Sequence, residues 1–488
     1  MKSSVIKLLQ TFSKQELSEF EIFLDSPYFN TNKNLQRLLS SIIKFVIDNE
    51  GDILTKEKLW KEMFPAKIYS DGIMRNLLYE LNKCAENYLR HKNFSKNFEY
   101  DKALLNELFE RNHFGVLEKK LDSFEKKINT LVNKDENYLY NKIYIVEFRT
   151  NILKDKSLLE TYRYGQSKLQ LELFLLSFLV SELSFFIEEQ RANVKHNSKL
   201  LESLLDIFES KINDFKNNSL IQIYLLLCLS FVKPGYENCI KAKKIFEKNY
   251  NAFDVVDKKN IYGVFQTIFL KYFDSGILTT LNEVKELYIE MINDKDVLEF
   301  RSGKISLNLF RNILNTFLTT NEFELAKSFI ENYLENVDTQ NLSQLREYSL
   351  AHLYFSEGNY LKTLEICNQI DYNNFFESVA DNFYYKIDIK RLIIKSYFEM
   401  GNWECAIYLI DSTKHFITNS KSINSHTRES YLTFLKLTEE LIRKSDTKNK
   451  LEIELLRNRI LKMPSFGNKK WLQEKIEQLL SGKIDCFE

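Results

Sequence analysis

Histidine and cysteine, the side chains best suited to bind a metal, are few and scattered in this sequence. The six histidines contain no His-x-x-x-His pair and the six cysteines no Cys-x-x-Cys motif, so the spacings typical of zinc sites are absent. One Glu-x-x-His motif, Glu110 with His113, would place both residues on one helix face. A carboxylate-bridged di-iron bundle needs two such motifs and two further glutamates. The sequence therefore predicts no metal site and no cofactor.

The common motifs of nucleophilic catalysis and phosphate binding are also missing. The sequence has no G-x-S-x-G, no G-x-x-x-x-G-K-[ST] and no G-x-G-x-x-G. Its 26 tyrosines and 38 phenylalanines recur at helical spacing, which is typical of core and inter-helix packing. No catalytic residue is predicted. An enzyme whose catalytic residues lie far apart in the sequence stays open as an alternative.

Composition indicates a folded, helical protein. Of 488 residues, 44% are hydrophobic and 28% charged, and 68 basic residues balance 68 acidic ones, so no net charge favours nucleic acid or acidic membrane as a partner. Only 4 prolines and 12 glycines occur. Because turn-rich β architectures need these residues, their scarcity favours long helices with short connections. The length favours several domains or a linear stack of repeats.

Three features favour a cytoplasmic protein without membrane insertion. Lys7 interrupts the apolar N-terminal run, so no secretory signal is predicted. The most apolar stretch, residues 173–187, is too short to span a bilayer and contains Glu182, which favours a buried core helix. The six scattered cysteines are typical of free thiols in a reducing compartment.

Helix signals divide the chain into four predicted regions. Residues 1–95 are predicted to form a helical bundle, with a capping box at Ser13 and Glu16, a helix end before Pro27 and an N-cap at Thr55. Residues 96–304 read as irregular amphipathic helical hairpins. Hairpins with a clearer repeat follow over residues 305–420, and capping helices over residues 421–488.

A pattern of aromatic, glycine or asparagine, and small residues repeats in the third region. Its copies are Phe317-x5-Phe323-x2-Ala326, Tyr354-x5-Tyr360-x2-Thr363 and Tyr397-x5-Trp403-x2-Ala406. Asn321, Gly358 or Gly401 stands shortly before the second aromatic residue of each copy. Glycine and asparagine can end a helix in left-handed geometry, and a small residue lets the next helix approach closely. The pattern predicts three helical hairpins.

These residues resemble the tetratricopeptide repeat (TPR) family of helical hairpins, most clearly over residues 305–416. Positions 321, 358 and 401 lie 37 and 43 residues apart, whereas family repeats have about 34 residues. The family's early tryptophan and its proline at the repeat end are absent. The resemblance implies an all-α fold, a superhelical solenoid of roughly twenty antiparallel helices. Stacking would bury both apolar faces of each hairpin.

In the family, partners bind along the concave side, which the first helix of each hairpin lines. By position, the resemblance places three i, i+4 pairs there: Arg311 with Asn315, Tyr348 with His352, and Arg391 with Lys395. They would form a polar, basic groove for an acidic segment or a chain-end carboxylate. Ser349 could assist, whereas Asp388 and Leu392 depart from the family's carboxylate-binding version. An ordinary solvated face is the alternative interpretation.

A nucleic-acid-binding N-terminus is a further alternative. Residues 54–60, Pro65 and the helix that starts near Asp71 are similar to the helical part of winged-helix domains, but residues 91–98 offer too little strand for a wing. The reading helix would expose Arg75, Asn76, Tyr79, Asn82, Lys83 and Arg90. Glu80 and Glu86 interrupt that face, so a capping helical bundle is favoured over a nucleic-acid-binding domain. The sequence thus predicts a non-catalytic scaffold that presents a concave surface to a protein or peptide, with a transcriptional regulator or an enzyme as alternatives.

Overall fold

The fold is helical throughout the part of the chain that the structure describes. Within that part the chain forms 24 α-helices, three short 3-10 helices and no β-strand, which confirms the all-α prediction. The chain divides into two compact units, residues 1–130 and 131–488, and the predicted boundary near residue 95 lies inside the first. A computed structural model describes residues 3–47, 55–96, 98–152, 156–191, 199–233, 235–299, 303–371, 379–420, 423, 425–446, 450–463 and 466–481.

Local sequence signals set several helix ends in the first unit. The Ser13 hydroxyl accepts a hydrogen bond from the Glu16 backbone N–H (3.1 Å), and the Glu16 carboxylate accepts one from the Ser13 N–H (2.8 Å), so the predicted capping box is formed. The Thr55 hydroxyl caps the fourth helix as predicted. The described helices are Ser4–Leu9 (α1), Lys14–Asp25 (α2), Lys33–Ile47 (α3), Lys56–Met63 (α4), Asp71–Lys96 (α5), Phe98–Glu110 (α6) and Phe114–Asn129 (α7).

The first five helices share one hydrophobic core. Phe20, Leu24, Leu38, Leu59 and Leu81, one or two from each of α2 to α5, are fully buried in it. Burying each such side chain stabilises the fold by about 1.5–3 kcal/mol. The predicted N-terminal bundle therefore has a core of its own.

The helix proposed to read nucleic acid is followed by another helix and not by a wing. It runs from Asp71 to Lys96 (α5), and α6 begins at Phe98, so residues 98–110 are helical where a winged-helix domain needs a β-hairpin. Arg75 pairs with Asp71 at 2.5 Å. Among the described residues of the first unit, the winged-helix resemblance is therefore limited to the helices and does not include the wing.

The predicted pairing of Glu110 with His113 on one helix face is wrong. Asn112 has a φ of 56°, a left-handed conformation that separates α6 from α7. Glu110 is the last residue of α6, and His113 is the N-cap residue of α7. The two side chains therefore belong to different helices.

The second unit begins with a long helical segment around a large shared core. Leu225, Leu227 and Phe265 lie at its centre, fully or almost fully buried. The described helices up to residue 298 are Glu136–Ile152 (α8), Lys156–Arg191 (α9), Lys199–Phe208 (α10), Ser219–Val232 (α11), Tyr236–Lys248 (α12), Val255–Asp274 (α13), Asn282–Asn293 (α14) and Lys295–Leu298 (α15), with short 3-10 helices at Glu209–Phe215 and Tyr250–Ala252.

Helix α9 is the one helix, among the described residues, that is long and apolar enough to cross a membrane. Its segment Leu158–Glu189 has an 18-residue window with a mean hydropathy of 1.7, of which 33% is buried inside the protein. One side of α9, with Leu175, Leu179 and Leu183, is buried in the core of the second unit, and α9 packs against α8 and α11. One side of α9 is therefore core surface, but Phe174 and Phe185 are each 49% exposed, so residues 173–187 are not the fully buried helix that was predicted.

The C-terminal part continues as helical hairpins. Helices adjacent in sequence pack together (α16 with α17, α18 with α19, α20 with α21), and α16, α18 and α20 also pack side by side. The helices are Leu307–Thr319 (α16), Phe323–Tyr333 (α17), Leu342–Ser356 (α18), Tyr360–Gln369 (α19), Val379–Glu399 (α20), Trp403–Asn419 (α21), Ser425–Asp446 (α22), Lys450–Lys462 (α23) and Lys469–Leu480 (α24), with a 3-10 helix at Leu334–Asn336. The described total of 24 α-helices exceeds the predicted twenty.

The hairpin turns have the predicted backbone geometry. Asn321, Gly358 and Gly401 have φ values of 61°, 77° and 71°, the left-handed region that favours glycine and asparagine. The small residues predicted at the close approach, Ala326, Thr363 and Ala406, are completely buried. In the middle copy the threonine hydroxyl donates to the Asn359 carbonyl (2.9 Å), so the added polar group is satisfied.

A short backbone bridge joins the two ends of the first hairpin. The Ile305 N–H donates to the Asn336 carbonyl (2.8 Å), and the Asp338 N–H donates to the Ile305 carbonyl (2.8 Å). The result is a parallel bridge between Ile305 and Val337, both fully buried. It links the second residue before α16 to the residue directly after the 3-10 helix that follows α17.

Candidate binding site

The six side chains predicted to line a groove lie together on one face of α16, α18 and α20. Within each pair the i, i+4 spacing places both side chains on the same side of its helix. Because the three helices pack side by side, the three pairs become neighbours. All six are at least partly buried: Arg311, Asn315, Tyr348, His352, Arg391 and Lys395.

The carboxylate of Asp388 lies at the centre of this set. Its Oδ2 accepts hydrogen bonds from Arg311 Nε (2.6 Å), Tyr348 Oη (3.0 Å) and Asn315 Nδ2 (3.3 Å), and its Oδ1 accepts one from an Arg391 guanidinium nitrogen (2.6 Å). The Asp388 side chain is only 1% exposed. The sequence interpretation treated Asp388 as a departure from the family pattern and did not predict that it would bind four of the six side chains.

Two guanidinium groups keep the buried Asp388 ionised. Burial raises the pKa of the Asp388 carboxyl, but Arg311 and Arg391 outweigh that effect and hold its pKa well below the usual range. Burial and the Asp388 charge both raise the pKa of the Tyr348 phenol well above its ordinary value, so this phenol remains a donor. The two arginines are therefore bound by the protein's own acid.

His352 lies beside the Tyr348 ring in this cluster. Its ring centroid lies 4.6 Å from that of Tyr348, and its Nε2 is buried without a hydrogen-bond partner among the described residues. Burial lowers the pKa of His352 to about 3, so the imidazole is uncharged at neutral pH. The side chain can donate or accept one further hydrogen bond but adds no charge.

Lys395 is the cation of the cluster that no carboxylate of the described residues contacts within ion-pair distance. Its Nζ lies 4.4 Å from the centroid of the Phe355 ring and 5.8 Å from that of Trp471, and 3.5 Å from Asn468 Oδ1. Burial lowers the pKa of Lys395 to about 7, and the charge of Arg391 acts in the same direction. The ammonium is therefore held mainly by aromatic ring faces.

The C-terminal helix α24 completes the site beside Lys395, which the sequence interpretation missed. Glu399, one turn after Lys395 on α20, accepts hydrogen bonds from Trp471 Nε1 (2.9 Å) and Lys475 Nζ (2.7 Å). The Trp471 ring also lies 5.2 Å from that of Phe398. An aromatic residue in a predicted capping helix was the only sequence signal of this contact.

Ser349 cannot assist in the way predicted from the family. Its side chain is fully buried and its hydroxyl donates to the Leu345 carbonyl (2.8 Å), inside its own helix. Leu392 is also buried. The prediction for Ser349 is wrong because this residue lies on the buried side of α18 and not on the side that carries Tyr348 and His352 towards the site.

The charges of the site leave a basic excess. Arg311, Arg391 and Lys395 contribute three basic groups and Asp388 one acidic group, while Glu399 is paired with Lys475. Arg391 Nε is buried and forms no hydrogen bond among the described residues. Unpaired buried donors with excess positive charge favour an anionic partner such as a carboxylate.

No group of three or more His, Cys, Asp and Glu side chains that could hold a metal ion occurs among the residues that the structure describes. Comparison of the chain with protein-family models, with curated proteins and with solved structures finds no match. The chemistry of the site therefore rests on its own geometry.

Proposed function

We propose that this protein is a non-catalytic binding protein that holds a polypeptide along the face formed by α16, α18 and α20. The observation that carries the proposal is the excess of basic side chains there: Arg311 and Arg391 share the single carboxylate of Asp388, and Lys395 forms no ion pair with a described carboxylate. An acidic side chain of a partner would supply the missing anion next to Lys395. Charge-assisted hydrogen bonds of this kind are stronger than neutral ones.

The proposal includes a superhelical stack of TPR-like hairpins. It is supported by the side-by-side packing of α16, α18 and α20, each also paired with the helix that follows it. Left-handed residues at each hairpin turn and fully buried small residues after them support it as well. Such a stack has an extended surface, on which a chain segment can bind over several repeats.

We also propose a cytoplasmic location. The described cysteines, Cys84, Cys228, Cys239, Cys367 and Cys405, are all free thiols. Free cysteines are typical of reducing compartments.

A peptide-selection experiment tests the binding proposal. A displayed library of random peptides would be selected on the purified full-length chain, and binding of enriched peptides measured by fluorescence anisotropy. We expect acidic peptides, with affinities that fall about tenfold in the Lys395→Glu variant, the size of one charge-assisted contact. Lys327→Glu on α17 is the control, since Lys327 is exposed and outside the face.

Two outcomes would contradict the proposal. One is that no peptide is enriched over an unrelated protein of similar charge. The other is that Lys395→Glu and Lys327→Glu bind the selected peptides equally well. A salt-dependent shift of duplex DNA by the full-length chain, together with failed peptide selection, would favour the transcriptional regulator instead.

A further inference from the structure

Helix α9 has a second apolar side, which faces solvent instead of the core. Phe174 and Phe185 are each 49% exposed, and Leu171 is 41% exposed. Tyr164, two turns before Leu171, is 78% exposed. If a whole aromatic side chain has about 200 Å2 of surface, these four residues together expose about 400 Å2. Single exposed apolar residues are ordinary on a protein surface, whereas a patch of this size is typical of an interaction site.

No charge interrupts this side of α9 over about five helical turns. The exposed residues between Lys168 and Glu188 are all uncharged: Gln170, Leu171, Phe174, Ser181, Ser184 and Phe185. The two acids within this stretch do not belong to the exposed side, because Glu182 is buried and Glu172 is partly buried. The solvated side of a helix normally carries charged residues. This side of α9 therefore has the composition of a surface that is covered.

The side chains of this surface have the spacing of a coiled-coil seam. Steps of three and four residues alternate along it, as between the a and d positions of a coiled coil. We call these seven residues the α9 seam: Tyr164, Ser167, Leu171, Phe174, Phe178, Ser181 and Phe185. The rings of Phe174 and the partly buried Phe178 stack, with centroids 5.7 Å apart and planes 15° apart. Because residues with this spacing pack into a facing helix, the seam favours a helix as its partner.

The sizes of the seam side chains are complementary to a second copy of α9 in the antiparallel direction. When Phe174 of each copy faces Phe178 of the other, both positions are two residues from position 176. The same two-fold axis then pairs Leu171 with Ser181 and Phe185 with Ser167. A large side chain thus meets a small one, as in well-packed cores. In a parallel pair, serine would face serine and leave gaps.

The charges at the two ends of the seam also favour the antiparallel pair. The charged residues at the N-terminal end are Glu160, Arg163 and Lys168, which leave a basic excess. Those at the C-terminal end are Glu188 and Glu189, both acidic. Antiparallel packing brings the basic end of one copy to the acidic end of the other and places Tyr164 opposite Glu188. Parallel packing would place like charges together.

We propose that two copies of this protein associate through the α9 seam, antiparallel and with a two-fold axis near position 176. The four most exposed side chains of both copies, with the exposed Ser167, Gln170, Ser181 and Ser184, would bury up to about 1,200 Å2. This is the lower end of the range for specific interfaces, so we expect a Kd of about 1 μM. The seam shares no residue with the α16, α18 and α20 face, so the dimer does not depend on the proposed function.

Sedimentation equilibrium of the full-length protein at about 0.5 to 50 μM, a range that brackets the expected Kd, tests the proposal. We expect the mass to rise with concentration from the 58.1 kDa of one chain towards twice that value. Phe174→Glu places a charge in the centre of the seam and should weaken the dimer at least about thirtyfold, as at an interface hot spot. Tyr408→Glu is the matched control, because Tyr408 is 80% exposed on α21 and outside the seam.

A second variant separates loss of the interface from loss of the fold. Ser181 is exposed, so Ser181→Arg should leave thermal unfolding of the monomer unchanged. In the proposed pair it would force a long charged side chain against Leu171 of the second copy and weaken the dimer to a similar extent as Phe174→Glu. Unchanged association of Ser181→Arg would overturn the proposal, whatever the effect of Phe174→Glu.

Disulfide cross-linking tests the direction of packing. In a chain with Cys405→Ser and Cys486→Ser, the pair Leu171→Cys and Ser181→Cys should give a covalent dimer on oxidation, and neither cysteine alone should. No cross-link in the double variant, or a cross-link in either single variant, would overturn the antiparallel pair.

A wild-type protein that stays monomeric at about 50 μM, far above the expected Kd, would overturn the dimer itself. If that monomer floats with phosphatidylcholine vesicles and Phe174→Glu does not, the seam contacts a lipid surface instead of a second copy.

Discussion

Arg311 and Asp388 lie 77 positions apart in the sequence, yet Arg311 Nε approaches Asp388 Oδ2 to 2.6 Å in a nearly dry environment. The same carboxylate also binds Arg391, so one acid joins α16 to α20. A buried ion pair costs desolvation of both partners, and removing one partner leaves the other charge uncompensated. The stability of the hairpins should therefore depend on this acid.

Replacing Asp388 with asparagine should destabilise the second unit. The change keeps the size of the side chain but leaves two arginines without their anion, so we expect a loss of about 3–5 kcal/mol in the free energy of unfolding. Urea unfolding followed by circular dichroism at pH 7 measures it. Asp411→Asn is the control, because Asp411 is 60% exposed and contacts Lys414 at 3.3 Å on the surface. Equal midpoints for the two variants would show that the Asp388 network is not stabilising.

Lys395 should make the protein more stable as the pH rises from 7 to 9. Its pKa is about 7 in the folded protein and about 10.4 in an unfolded chain, so between these values the unfolded state holds an extra proton. Stability then rises with pH by up to about 1.4 kcal/mol per unit.

The Lys395→Met variant isolates this effect. Since methionine has no charge to desolvate, the variant should be more stable than the wild type at pH 7, and the difference should shrink by about 2 kcal/mol by pH 9. Urea unfolding at pH 7, 8 and 9 measures the difference. Lys327→Met, at an exposed position on α17, is the control. A difference that stays constant with pH would contradict a depressed pKa at Lys395.

His352 should make the protein less stable as the pH falls below 6.5. Its pKa is about 3 when folded and about 6.5 when unfolded, so below pH 6.5 the unfolded state binds a proton that the folded state does not. Stability is lost as the pH falls through this window. His352→Phe keeps a ring beside Tyr348 and should gain about 2 kcal/mol on the wild type between pH 6.5 and 4.5. Thermal unfolding across this range checks it, with the exposed His415→Phe as control. A parallel pH dependence of wild type and His352→Phe would refute the assignment.

Replacing a hairpin-turn glycine with alanine should lower the free energy of unfolding, whereas the same change at a glycine inside a helix should raise it. Gly401 has a φ of 71° and open space around a Cβ atom, so Gly401→Ala should cost about 1–2 kcal/mol from backbone strain alone. Gly165 lies within α9, also with open space, and Gly165→Ala should gain up to about 1 kcal/mol. Gly401→Asn should lie between them, since Asn321 takes this geometry in the first hairpin. Chemical unfolding of the three variants measures the order, which would be reversed if the turn were not left-handed.

Features that depend on residues close together in the sequence could be predicted from the sequence alone. The capping box at Ser13 and Glu16, the left-handed turn at Gly401 and the buried Ala406 are set by contacts within a few positions, and all are observed. The grouping of groove side chains followed from i, i+4 spacing and the hairpin pattern.

Long-range partners could not be predicted in the same way. That Asp388 meets Arg311, or that Trp471 reaches Glu399, depends on how far each helix is shifted along its neighbour. A shift of one helical turn would give these residues other partners without changing the periodicity. That Lys395 has no carboxylate partner among the described residues depends likewise on the pairing of Glu399 with Lys475, which no local pattern contains.

The bridge between Ile305 and Val337 constrains how the hairpin series could come apart. Because the backbone hydrogen bonds connect the entrance and the exit of the first hairpin, fraying at either end must break the same two bonds. That hairpin therefore forms a closed loop of chain, and its two ends open together. A mechanical force applied to α18 would therefore load the two hydrogen bonds of this bridge before it loaded the helices that precede residue 305.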